Sequence, residues 1–87
     1  LYANTGRAEL SEPIYRRSLA LKEKLLGASH PDVALGLNNL GVLLKRLGRK
    51  DEAIAAYRSA LAIFEATLSA DHPKLKAVRA NLERLTG

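Results

Sequence analysis

The strongest constraint on this chain is that it repeats itself. Gly6-Arg7 recurs as Gly48-Arg49, an offset of 42 residues. The same offset carries Tyr15-Arg16 to Tyr57-Arg58, Leu19-Ala20 to Leu61-Ala62 and Glu23 to Glu65. It also carries Leu26 to Leu68, His30-Pro31 to His72-Pro73 and Asn39-Leu40 to Asn81-Leu82. No gap is needed. Chance supplies two or three such matches, but not a collinear set. The 87 residues therefore hold about two copies of one unit, cut out of phase. A period in this range marks an architecture in which each unit leaves an apolar face for its neighbour to cover.

Each unit reads as two helices. From Val33 the apolar residues run Val33, Leu37, Leu40, Leu44, Leu47, at steps of 4, 3, 4 and 3. That is a helical stripe rather than a strand alternation, and Leu35, Val42 and Leu43 widen it. Ser29 and Asp32 have capping-box spacing around Pro31, so the helix is expected to start within Ser29-His30-Pro31-Asp32. Gly48 supplies the stop, since glycine accepts the left-handed conformation after a helix end. The next helix is expected from about Lys50 to Leu68. It presents Ala53, Tyr57, Ala60 and Phe64 on one face and Ile54, Leu61 and Leu68 on another. Two apolar faces on one helix imply packing on two sides. The earlier copy, about Ala8 to Leu26, has Tyr15, Leu19, Leu26 and Ile14, Leu21, Leu25 in the same roles. No segment reads as a strand.

The segment HPDVALGLNNLGVLLKRLGRKDEAIAAYRSALAIFEATLSADHP and its partial earlier copy resemble the tetratricopeptide repeat, in the 42-residue form found in the kinesin light chain. The resemblance spans essentially the whole chain. Its small-and-large signature falls on Leu37, Leu40, Gly41 and Leu44 in the first helix, Gly48 in the turn, and Ala53, Tyr57 and Ala60 in the second. Leu37 and Leu44 stand where the family often has Trp and Tyr. The implied fold is all-α: antiparallel helix pairs stacked into a right-handed superhelical solenoid, here a fragment of about two repeats. Residues 1–5 would end a truncated helix, 7–27 form the second helix of a repeat, 30–69 a complete pair, and 72–86 a C-terminal capping helix. The signature has a physical reading. Gly41 in mid-helix costs about 1 kcal/mol relative to Ala, and small residues at Gly41, Ala53 and Ala60 let two helices approach while Tyr57 fills the space beside them. Gly36, a second mid-helix glycine, matches no signature position.

The two ends differ. Leu1-Tyr2 align with Leu43-Leu44, so the chain is expected to open in the last turn of a first helix. The helix after it should then expose Ile14, Tyr15 and Leu21, to be covered by upstream repeats or by a second copy. In the last helix Leu75, Val78, Leu82 and Leu85 form one apolar stripe. The counterparts of Leu37, Gly41 and Leu44 there are Arg79, Glu83 and Thr86, a face suited to water and so to an array end.

No catalytic constellation emerges. The chain has no Cys, hence no thiolate nucleophile and no Cys-ligated zinc. His30 and His72 are the only histidines, one whole repeat apart, too far to share a metal, and each precedes a helix-starting proline. HExxH and phosphate-binding glycine loops are absent, and no serine lies in a His/Asp pattern that would activate it. The expectation is no enzyme activity and no cofactor. No apolar run approaches the ~18 residues of a membrane span, and the first residues lack a signal-peptide pattern. A cytoplasmic location is expected.

Resemblance to the family implies that the first helix of each pair lines a concave groove. That face includes Leu35, Asn38, Asn39, Val42, Lys45 and Arg46, followed by Ala77, Ala80, Asn81 and Arg84 in the last helix. The Asn matching Asn39 and Asn81 often contacts bound peptide in the family; bridging between neighbouring helices is the alternative for both. Asn donates to and accepts from a peptide backbone, Arg and Lys meet carboxylates, and Leu35, Val42 and the small alanines leave shallow apolar ground. Fourteen basic against nine acidic residues favour an acidic protein or peptide partner. Nucleic acid fits poorly. Arg16, Arg17, Lys22 and Lys24 lie on the other helix type, and Tyr15, Tyr57 and Phe64 are needed for the core, which leaves no stacking platform. Membrane attachment is disfavoured because the apolar faces are needed for stacking. Homo-oligomerisation through the truncated N-terminal face is the structural alternative.

Overall fold

The computed structural model describes the backbone of residues 2–86 and the side chains of residues 10–86. Four helices follow in order: α1 (Tyr2–Leu26), α2 (Pro31–Arg46), α3 (Lys50–Thr67) and α4 (Pro73–Thr86), with no strand among the described residues. Each packs on the next, and α2 and α3 share the largest interface. Short turns between them force antiparallel hairpins. The molecule is a slab of 39 × 34 × 19 Å. Its thin dimension is that of two helix layers spaced at roughly 8–10 Å. This is an all-α antiparallel helix-pair fragment of about two repeats.

Local chemistry sets the helix ends. Gly48 adopts φ +79°. Its N–H donates to the Lys45 carbonyl at 3.0 Å, and the Arg49 N–H donates to the Leu44 carbonyl at 2.9 Å. This is a Schellman closure, which needs a left-handed residue at Gly48. The α2 start differs in detail from the capping-box expectation: His30, not Ser29, is the cap. Its Nδ1 accepts from the Asp32 N–H at 3.0 Å. His72 does the same one repeat later, accepting from the Lys74 N–H at 3.1 Å. Both histidines therefore serve to open a helix, satisfying donors that the helix itself leaves orphaned.

One expected boundary is corrected. The turn placed at Gly6 does not form, and α1 runs unbroken through Gly6 and Pro13. At Gly48, by contrast, the turn folds α3 back onto a full apolar face of α2. Leu1 and Gly87 lie outside the described residues.

The core lies between α2, α3 and α4. Tyr57, Phe64, Leu44, Leu75, Val33 and Val78 are its largest fully buried side chains, and no polar or charged residue is buried among those described. Gly41 is the point of closest approach. A Cβ placed there would lie 2.6 Å from Tyr57 Cε1 and 2.8 Å from Cδ1. Gly36, unexplained by sequence, marks a second close approach: a Cβ there would lie 2.9 Å from the Leu19 Cδ1 methyl of α1. Leu19 is the one residue of the described part of α1 that is buried.

An ionic cluster ties α1 to the start of α3. Glu12 binds Arg16 at 2.8 Å and also meets Arg49, which in turn holds Glu52 at 2.5 Å. Arg16 reaches Glu52 at 3.3 Å. The hydrogen bonds from Arg16 and Arg49 hold the Glu12 carboxyl below its ordinary pKa of 4.5, and that from Arg49 does the same for Glu52. Arg49 is correspondingly held more firmly protonated by Glu52 and Glu12.

Two predictions arise here. Gly41→Leu should overpack against the immobile Tyr57 ring and cost about 1–3 kcal/mol. Gly36→Ala should be neutral or stabilising, because a flexible leucine methyl can yield and a mid-helix glycine is removed; urea denaturation of both variants checks the contrast. The cluster also makes stability pH-dependent. A carboxyl depressed on folding stabilises fully above its unfolded value, and that contribution disappears as pH falls through the folded value. Melting temperature should therefore fall below about pH 4.5, with a shallower acid slope in Glu12→Gln.

Candidate functional site

The outer stripe of α2 opposite its core face carries Leu35, Asn38, Asn39, Val42, Lys45 and Arg46. On a 3.6-residue helix these positions form one continuous band. Leu37, Leu40, Gly41 and Leu44 lie on the other side, towards α3. Leu35 and Val42 are half-buried and rest on the core, while Asn39, Lys45 and Arg46 are exposed. The α4 counterpart carries exposed Ala77 and Arg84 and half-buried Ala80 and Asn81.

Within this band two groupings form. Towards α4, Asn81 Nδ2 donates to Asn38 Oδ1 at 3.1 Å, 43 residues back in sequence. Asn81 thus bridges neighbouring helices, one of the two readings left open by its position. Its Oδ1 and the Asn38 amide nitrogen remain available. Towards α1, Asn39, Val42, Leu43 and Arg46 line a cavity of about 200 Å³ whose remaining wall is Tyr15. Asn39 and Asn81, equivalent by sequence, therefore face different neighbours. Tyr15 is 41% exposed and part of this wall, as expected for the side of α1 that carries Ile14 and Leu21, although its match to Tyr57 also suggested a core position. Tyr57, by contrast, is sealed against Gly41 of α2.

Burial pushes the Tyr57 phenol above its ordinary pKa of 10.0, and the Arg84 charge draws it part of the way back. Lys45, Arg46 and Arg84 form no ion pair among the described residues. The band is therefore an exposed surface of amides and uncompensated cations over shallow apolar ground.

A second cleft, of about 270 Å³, opens on the opposite side of α2, between α1 and α3. Leu37, Leu40 and Leu44 floor it, Ala55, Ala56 and Ser59 wall it, and Arg16 and Glu52 stand at its rim. Leu37 and Leu44 are the residues standing where larger aromatics are common in the resembling family. Aliphatic side chains at both places leave this space.

A family profile described as the tetratricopeptide repeat matches residues 1–66 and again residues 37–85. The chain belongs to the tetratricopeptide repeat family. The overlap of the two matches reflects the internal repeat. No curated protein matches the chain in a sequence comparison. Tetratricopeptide repeats are scaffolds for protein–protein interaction, and the helix pairs described above are their structural unit. Among the described residues no helix is long and apolar enough to cross a membrane.

The Asn38–Asn81 bridge generates a prediction. A double-mutant cycle of Asn38→Ala and Asn81→Ala should give a coupling of about 0.5–1.5 kcal/mol. The Asn39→Ala and Asn81→Ala pair should couple by less than roughly 0.5 kcal/mol, since the two residues share no contact.

Proposed function

We propose that this chain is an interaction module that captures a peptide segment along the outer band of α2 and α4, and that it acts by binding rather than catalysis. The observation that carries this reading is the cavity of Tyr15, Asn39, Val42, Leu43 and Arg46. It combines an apolar floor, an amide able to pair with a peptide backbone, and a cation without a partner among the described residues. Such a mixture suits an extended segment that places an apolar side chain against Val42 and Leu43 and a carboxylate against Arg46. Lys45 and Arg84 extend the preference for acidic residues along the band, with Leu35, Asn38, Ala77 and Asn81 as its remaining contacts.

The 42-residue period supports assignment to the kinesin light chain type of the repeat. In α4 the polar substitutions Arg79, Glu83 and Thr86 support a capping role, in which that helix closes one side of the groove. The competing reading is a module that self-associates through α1, where Leu10, Ile14 and Leu25 are all more than 60% exposed.

Only two groove helices are present, so micromolar or weaker dissociation constants are expected, as for small interfaces. An acidic peptide selected from a random library should lose affinity by about tenfold on Arg46→Ala, the scale of a charge-assisted contact. Asn39→Ala should weaken it without lowering the melting temperature. Fluorescence anisotropy reads both. Unchanged affinity in the two variants would remove the groove assignment, and a dimer that excludes peptide would favour self-association.

A further inference from the structure

The described part of α1 holds an apolar stripe that none of the described residues covers. Leu10, Ile14, Leu21 and Leu25 are 74%, 67%, 55% and 71% exposed. Their spacing places all four within a narrow sector of a 3.6-residue helix, on the side away from Leu19 and α2. The stripe spans about 22 Å, at 1.5 Å per residue.

Two observations say what fits it. The first is internal. Shifted by one repeat, these four positions become Glu52, Ala56, Ile63 and Thr67 of α3. That face of α3 meets helices in part: Glu52 is bonded by Arg16 of α1 at an exposed edge, Ala56 is buried beside Leu37, Leu40 and Leu44 of α2, Ile63 is half-buried against the core, and Thr67 is exposed. The equivalent surface within the same chain thus takes helix contacts along its middle, and on α1 it is more apolar. The second is charge. Exposed Arg17 and Lys24 flank the stripe on one side and Lys22 on the other, and none forms an ion pair among the described residues. The acidic residues of this segment, Glu12 and Glu23, fall on the opposite side of the helix.

We infer that this face of α1 docks an acidic amphipathic helix of about four turns, with leucine-type residues against the stripe and Asp or Glu against Arg17, Lys22 and Lys24. Charge complementarity selects this occupant over a second copy. Antiparallel pairing of two α1 helices would set Leu10 against Leu25 and Ile14 against Leu21. It would also gather three cations from each copy with no acid on that face, and like charges in close apposition oppose association. The surface is separate from the α2–α4 band, so the inference does not depend on the groove reading.

The test uses two synthetic 18-residue helical peptides with identical leucine stripes, one flanked by glutamates and the other by lysines. Binding to the 87-residue chain is followed by calorimetry. The glutamate peptide should bind at least ~10-fold more tightly than the lysine peptide. Ile14→Asp and the double variant Arg17→Glu with Lys24→Glu should each weaken it by ~10-fold or more. Melting temperature should not change, since these side chains are exposed. Arg46→Ala should leave binding untouched. Equal binding of the two peptides would overturn the proposal, as would loss of binding in Arg46→Ala rather than Ile14→Asp. A dimer in sedimentation velocity that Ile14→Asp dissolves would replace it with a second copy. Pelleting with phosphatidylserine vesicles, without binding of the glutamate peptide, would replace it with a membrane surface.

Discussion

The contact between Gly41 and Tyr57 is the constraint on which the rest of the molecule depends. A hydrogen in place of a side chain at Gly41 lets the aromatic ring of α3 lie against the backbone of α2. That approach sets the distance between the two helices, and the distance decides which neighbours can be filled. With the ring seated, Ala53, Ala56 and Ala60 close the remaining space, and Phe64 reaches the region where Leu75 and Val78 of α4 arrive. The glycine weakens the helix locally by about 1 kcal/mol, but burying a tyrosine side chain contributes more than that.

The α1 edge is held differently. It has one buried leucine seated on Gly36 and an ionic cluster at the surface, where hydrogen bonds to water and salt compete. Packing therefore fastens α2, α3 and α4 into a firm unit, while α1 is attached through fewer buried atoms. The two candidate surfaces follow from this asymmetry. The band on α2 and α4 is displayed by helices whose other sides are locked in the core, so its side chains start from fixed positions. The stripe on α1 is displayed by a helix with little of its own apolar surface committed, which leaves a larger apolar area for a partner.

Much of this was legible before any coordinates. The offset of 42 and the helical spacing of Val33, Leu37, Leu40 and Leu44 identified the helix pairs and the faces that pack. The turn at Gly48 was legible because a positive φ is a property of one residue. The band of Leu35, Asn38, Asn39, Val42, Lys45 and Arg46 was expected from the family resemblance, and helix periodicity sets those positions on one side of α2. The cap was misplaced by one residue because Ser29 and His30 both carry acceptors, and only backbone direction chooses between them. Glu12 with Arg16 and Arg49 with Glu52 have the spacing of local helix pairs, but nothing in either pair announces that they join across α1 and α3. Gly36 was opaque for the same reason, since its partner Leu19 lies on another helix.

Sequence by itself determined the repeat, the helical periodicity and the turn at Gly48, because each depends on short-range geometry that one segment carries alone. Tertiary structure decided which equivalent residues share an environment. Tyr15 and Tyr57 are one repeat apart, yet one is half-exposed in a cavity wall and the other is sealed. Asn39 and Asn81 meet different partners. Helix α1 runs through Gly6, whereas the chain turns at Gly48. The physical reason is the same in each case: a repeated residue repeats its environment only where a neighbouring helix stands against it, and the number of neighbours is a property of the assembled stack.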